Sequence, residues 1–216
     1  MSSRDQILAA LREHRKPFPS AAPRPDAYLP VTRSTDDLLA RFTSELEQRF
    51  GQVSVASDRE DAVQRVMALI DSDKRVMAWE NIPLPGLLDA LHSKHIEVVN
   101  VFARDSDRVA HLEDAETIRV GITGVDAAFA TTGSLALVSG KGQGRIPSLL
   151  PPVHIALLER KRLFATLEDW FVGEGREALK KSRSVALVTG PSSTGDIEQH
   201  NVLGAHGPGT VHVIVF

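Results

Sequence analysis

QVSVASDREDAVQRVMALIDSDKRVMAWENIPLPGLLDALHSKHIEVVNVF, residues 52–102, decides the fold class. Strand and helix patterns alternate along it in short units. QVSVA (52–56) reads as a strand. Ser57 follows as a helix N-cap, with Glu60 completing a capping box. Val63, Val66, Met67 and Ile70 supply the apolar face of that helix. RVMAW (75–79) is a strand. Residues 83–93 read as a helix, with Leu84, Leu87, Leu88 and Leu91 at i, i+3, i+4 and i+7. HIEVVNVF (95–102) is the next strand. Such alternation predicts a largely parallel sheet with helices on its faces.

Towards the N-terminus, residues 35–50 read as a helix. Leu38, Leu39, Phe42, Leu46 and Phe50 share one face, and Gly51 stops it. Before it, KPFPSAAPRPDAYLP (16–30) carries five prolines. These forbid a regular helix or central strand, so the stretch reads as an arm. Residues 3–14 form a short helix ahead of the arm. Towards the C-terminus, TIRVGIT (117–123), DAAFAT (126–131) and SLALVSG (134–140) are close-set strands with no helix between them. VHIALLE (153–159), SVALVTG (184–190) and TVHVIVF (210–216) are further strands. Residues 166–181 read as a helix with Leu167, Trp170, Phe171 and Leu179 inward. The predicted fold is α/β: a mixed, mostly parallel sheet with helices on both faces. Two parts are predicted, an N-terminal helix and proline-rich arm over 1–34 and an α/β domain over 35–216.

The chain of 216 residues has no cysteine. It therefore offers no disulfide, no thiol nucleophile and no thiolate for zinc or an iron–sulfur cluster. A net charge of −3 gives no general attraction to nucleic acid. MSSRDQILAALREHRK has no apolar core of leader length, and no run approaches a membrane span. A cytoplasmic location is the expectation.

Three loops of the second half could carry chemistry. Thr131, Thr132, Gly133 and Ser134 form T-T-G-S between two strands. This is either a tight turn with Gly133 at positive φ, or a hydroxyl-rich pocket floor. SGKGQGR (139–145) has neither dinucleotide nor P-loop spacing. Lys141, Gly142, Gly144 and Arg145 can hold a phosphate or carboxylate, or simply form an exposed connection. TGPSSTGDIE (189–198) ends an apolar strand. Ser192, Ser193 and Thr194 offer hydroxyls, and N–H groups at a helix start, to an anion. The plainer alternative is a turn with local capping bonds. Asp196 and Glu198 are the weak proton-transfer candidates. The histidines have no metal-ligand spacing, and no metal or cofactor is expected. His154 matters only if it faces the glycine loops. Glu80 and Asn81 are second-tier candidates at a strand end, with Asn81 better read as a helix N-cap.

The run 123–158 contains T-G-x-D-A-A, T-G-S-L, G-x-G-R and L-L-P-P-V-H-I. The run 189–216 contains S-x-T-x-D-I-E and L-G-x-H-G-P. In this order the pieces resemble the lactate-utilization (LUD) domain family, and its short cysteine-free type in particular. The resemblance implies a fold similar to the NagB/RpiA/CoA-transferase-like superfamily. It also implies a role in oxidising L-lactate to pyruvate beside iron–sulfur partner proteins. Family members often have Glu where this chain has Thr131, so acyl-glutamate chemistry at that position is ruled out. Gly195 stands where Ala is common. Two functions follow. One is a non-redox accessory subunit that binds a small anionic ligand. The other is an independent isomerase- or transferase-type enzyme for a phosphorylated or acyl-CoA substrate. A homo-oligomer is compatible with either.

Overall fold

The computed structural model describes residues 3–13, 38–100, 113–195 and 201–216. The chain divides into two compact units, Met1–Ser34 and Thr35–Phe216. Of the first unit, helix α1 (Ser3–Glu13) is described, with Ile7 and Leu11 exposed. The proline-rich stretch lies outside the described residues.

The second unit is built on a six-stranded sheet of order β1-β12-β7-β4-β2-β3, parallel throughout. Its strands are β1 (Gln52–Val55), β2 (Arg75–Ala78), β3 (Glu97–Val99), β4 (Val120–Gly124), β7 (Val153–Leu158) and β12 (Thr210–Val215). Between β4 and β7 the chain leaves this sheet to start a second one. That sheet holds β5 (Ala127–Phe129), β6 (Ser134–Ser139), β8 (Leu163–Phe164) and β9 (Ser184–Val188), in the order β8-β5-β6-β9. A hairpin of β10 (Ser193–Gly195) and β11 (Asn201–Leu203) stands apart. The close-set strand patterns of the second half thus supply two sheets rather than one.

Strand alternation sorts the main sheet's side chains. On one face Val76, Val120, Ile122, Ile155, Leu157 and Ile214 pack against Ala62, Val66 and Ile70 of α3 (Arg59–Ile70). Leu87 and Leu91 of α4 (Leu87–Ser93) join them. On the other face Ala156, Leu158, Val213 and Val215 meet Phe42 and Leu46 of α2 (Leu38–Glu47), with Leu135 and Leu137 of the second sheet. Both faces are therefore apolar and covered, as a parallel sheet requires. No helix among the described residues is long and apolar enough to cross a membrane.

Several local expectations shift. The N-cap of α3 is Asp58, whose side chain accepts from the Asp61 N–H, while Ser57 N–H donates to Asp61 Oδ2. The capping signal is real but sits one residue later, on a carboxylate rather than on Ser57 and Glu60. Helix α4 starts only at Leu87, after Gly86 at φ 85°. Pro83 and Pro85 delay it, so Asn81 is not its N-cap. The helix read over 166–181 is three pieces: α5 (Leu167–Trp170), a π-helical turn (Phe171–Gly175) and α6 (Arg176–Lys181). Gly173 and Gly175 weaken the helical ladder there. Trp170 is buried, but Leu167, Phe171 and Leu179 are exposed rather than inward.

Candidate functional site

The T-T-G-S turn joins β5 to β6. Gly133 has φ 65°, and a Cβ on it would lie 2.5 Å from the backbone N of Leu46 in α2. Glycine is required here by left-handed backbone and by the close passage of a helix. Beside it, Ser134 Oγ and Thr189 Oγ1 are 2.7 Å apart. Gly190, at φ 95°, lies against the Arg49 carbonyl at the far end of α2. Thr131 donates its N–H to the Ala165 carbonyl, and Thr132 is exposed.

The chain then turns through Ser192. Its N–H donates to the Pro208 carbonyl (2.8 Å), and its own carbonyl accepts from Gly204 N–H (2.8 Å). Its Oγ accepts weakly from His206 N–H at 3.4 Å. A Cβ on Gly207 would be 3.4 Å from Ser192 Cβ and 3.8 Å from the Leu149 carbonyl. Thr210 N–H donates to the Pro152 carbonyl, which fixes this cluster at the amino-terminal ends of β7 and β12. Ser193 and Thr194 are exposed on β10, paired with Leu203 and Val202. Their backbone therefore belongs to a hairpin, not to the helix start expected of an anion site. Asp196 and Glu198 lie outside the described residues.

The SGKGQGR loop is elsewhere. The six-residue strand β6 has Ser134 at one end and this loop at the other, a span of about 17 Å for extended chain. It closes as a tight turn in which Gly140 and Gln143 exchange backbone bonds. Glu80 N–H donates to the Gly142 carbonyl (2.9 Å), and Trp79 Nε1–H donates to the Gly144 carbonyl (2.8 Å). Gly142 packs on the Glu80 carboxylate, where any Cβ would be 2.6 Å from Oε2. Glu80, Lys141 and Arg145 are exposed at the carboxyl end of β2, the side on which open α/β sheets bind ligands.

Asp126 joins this end and was not singled out in the sequence. It lies two residues beyond β4, and its Oδ2 accepts from Val138 N–H at 2.7 Å, two residues before Gly140. Burial pushes its carboxyl up, while the Val138 hydrogen bond and the Arg162 charge pull the other way. Its position as the Asp of T-G-x-D-A-A, at a strand's carboxyl end, was the available signal. Among the carboxylates considered from sequence, Glu80 alone lies near it in the described residues.

His154 lies on β7, and its hydrogen-bond partner among the described residues is Thr123 rather than a residue of the glycine loops. It is fully buried on the same sheet face as its register neighbours Gly121 and Val211. That face is crossed by residues 146–151, since a Cβ on Gly121 would lie 1.8 Å from the Pro147 carbonyl oxygen. The ring's Nε2 is 2.9 Å from Thr123 Oγ1, and its Nδ1 has no hydrogen-bond partner. Burial lowers its pKa to about 4, so the imidazole is neutral at pH 7. The described residues therefore offer two ends. One gathers Ser134, Thr189 and Ser192 with the 204–208 segment. The other gathers Glu80, Asp126, Lys141 and Arg145.

Comparison with known proteins bears on the fold and the family. A crystal structure of a DUF162 family protein from Deinococcus radiodurans superimposes with a TM-score of 0.62 at 19% identity, covering 82% of this chain and 95% of that one. It shares the fold. Lactate utilization protein C of Shouchella clausii is 38% identical over 111 residues, 49% of this chain and 46% of that protein. The same-named protein of Halalkalibacterium halodurans is 32% identical over 146 residues, 63% of this chain and 60% of that protein. The chain thus spans about half to three-fifths of these relatives' length. The LUD domain profile matches residues 39–216, nearly the whole second unit, and the chain belongs to the LUD domain family.

Proposed function

We propose that this chain is a non-redox accessory subunit of L-lactate utilization, binding a small anionic ligand beside iron–sulfur partners that oxidise L-lactate to pyruvate. The observation that carries the reading is the meeting of T-G-S-L, S-x-T and L-G-x-H-G-P segments at one end of the fold, through Ser134 with Thr189 and Ser192 with His206 and Pro208. The hydroxyls of Ser134, Thr189 and Ser192 are gathered there, and hydroxyl donors suit an oxyanion. With no cysteine, the chain leaves thiolate-held clusters to its partners. Lys141 and Arg145 fall outside this site, at the opposite end of β6. Deleting the gene should abolish growth on L-lactate and leave growth on pyruvate intact. A complementing copy carrying S134A and S192A should fail to restore lactate growth while accumulating to normal levels. Unchanged lactate growth in the deletion strain overturns the reading.

A second reading, an isomerase- or transferase-type enzyme at the carboxyl ends of β2 and β4, is favoured by Asp126. A carboxyl raised by burial, next to a loop bearing Lys141 and Arg145, has the make-up of an acid/base group beside an anion clamp. This reading requires the purified chain alone to turn over a sugar phosphate or acyl-CoA, with D126N losing about a hundredfold or more in rate. Inactivity of the wild-type chain across such a panel removes it.

A further inference from the structure

We propose that His154 is the inner contact of the hydroxyl-rich end, its Nδ1 hydrogen-bonding an oxygen of a small 2-hydroxycarboxylate held between residues 146–151 and the Ser192–Pro208 cluster. The inference rests on the anion-binding reading above and names the residue and ligand class that reading leaves open.

A buried polar atom without a partner is uncommon and calls for a cause. His154 is 0% exposed, and its Nδ1 has no such partner. The ring is not loose: Thr123, on the neighbouring strand and itself 0% exposed, holds Nε2 at 2.9 Å. Thr123 therefore fixes the plane of the imidazole and which nitrogen is left over. The side of the sheet is also settled. Gly121 lies beside His154 on β4, and its lack of a side chain admits the Pro147 carbonyl directly onto the sheet. From there the chain runs to Leu149, whose carbonyl faces Gly207 and, through it, Ser192. Thus His154 lies on the face that the 146–151 segment crosses, and that segment borders the hydroxyl cluster.

The chemistry narrows the ligand. A neutral imidazole nitrogen is a donor in one tautomer and an acceptor in the other. A 2-hydroxycarboxylate presents an acceptor carboxylate and a hydroxyl that both donates and accepts, so it satisfies either form. Hydroxyls and a neutral ring suit a monoanion. A phosphate dianion is normally held by arginine or lysine. Because His154 is closed over, the ligand reaches it only when the cover moves. Leu149 is 47% exposed in that cover, and Gly207 lies beside its carbonyl with no side chain.

The test uses the full chain with 15N-labelled histidine, titrated with L-lactate, pyruvate and inorganic phosphate. Calorimetry follows affinity, and the His154 ring signals, assigned by comparison with H154Q, follow contact. L-Lactate should bind and move the Nδ1 signal. H154F should weaken binding about tenfold or more, and T123V should weaken it several-fold while keeping the histidine. If H154F fails to fold, T123V and the wild-type titration decide. Lactate binding with an unmoved Nδ1 signal and unchanged affinity in T123V overturns the role of His154 and leaves the anion-binding reading standing. Binding of phosphate in place of lactate overturns the ligand class. No binding of any of the three overturns this inference and the ligand-binding reading together.

Discussion

Replacing Gly121 with alanine should lower the stability of the second unit by about 3 kcal/mol, the upper part of the range for overfilling a packed interior. The added methyl carbon would stand 1.8 Å from the Pro147 carbonyl oxygen, 2.8 Å from its carbon and 2.9 Å from Pro151 Cγ. None of these atoms is the end of a flexible side chain, so rotation about a side-chain bond cannot relieve the overlap. Either residues 146–151 lift or β4 shifts, and β4 is hydrogen-bonded to β2 on one side and β7 on the other. Lifting the segment also uncovers His154. Gly144 serves as the control, since a Cβ there would meet nothing within 4 Å. G144A should stay within about 0.5 kcal/mol of wild type. Urea unfolding read by circular dichroism checks both, as a lower midpoint at unchanged slope for G121A only. Equal midpoints for the two variants would show that the close approach at Gly121 is not what holds the segment down.

The second large effect is on the acid side of neutrality. Burial lowers the His154 pKa from 6.5 to about 4 in the folded protein. As pH falls below 6.5 the unfolded chain takes up the proton first, so His154 pulls the equilibrium towards unfolding. Its contribution is complete above pH 6.5 and is lost between 6.5 and about 4. At about 1.4 kcal/mol per pH unit, this amounts to roughly 3 kcal/mol over the window. His212 works in the same direction, its pKa lowered by burial and by the Arg65 charge. Asp126 works in the opposite direction: its raised carboxyl takes up a proton in the folded state before the unfolded one, which favours folding as pH falls. Comparing wild type with H154L isolates the His154 share. The stability difference between the two should move by about 3 kcal/mol from pH 7 to pH 4. A constant difference would mean that His154 takes up its proton as readily in the folded protein as in the unfolded chain.

The parallel sheet was legible because its strands and helices follow different periods. The apolar residues of 63–70 recur every third or fourth position, and RVMA alternates with them as a short continuous run, so the two patterns do not blur. The second sheet was not legible as a separate object. Alternation in 126–139 shows that strands exist, but it does not say which neighbours they take. The distinction rests on residues far apart in sequence, such as Leu135 beside Val188. The candidate loops were legible as loops, but which of them lie together was not. Glycine and hydroxyl content marks a place where the backbone bends, and it carries no information about which end of β6 the bend occupies. Gly133 illustrates the limit: its glycine serves the passage of α2, a contact with residues more than 80 positions away. His154 and Thr123 could not have been paired from sequence, because their hydrogen bond joins two strands between which the chain makes β5 and β6 of the second sheet.

The first and last strands of the main sheet are direct neighbours, with Gln52 beside His212 and Val55 beside Val215. During synthesis, β1 emerges from the ribosome long before its partner does. At about 5–20 residues per second, the 158 residues between Ser54 and His212 represent some 8–30 seconds of translation. Over that interval β1 has no strand to bind, and β7 lacks its neighbour on the same side. Sheet closure is therefore a late event, set by the arrival of Thr210–Val215. A chain stopped short of that segment loses an interior strand of its sheet, not its margin. Such fragments would present two unpaired strand edges at once, which makes them ready substrates for chaperones and proteases.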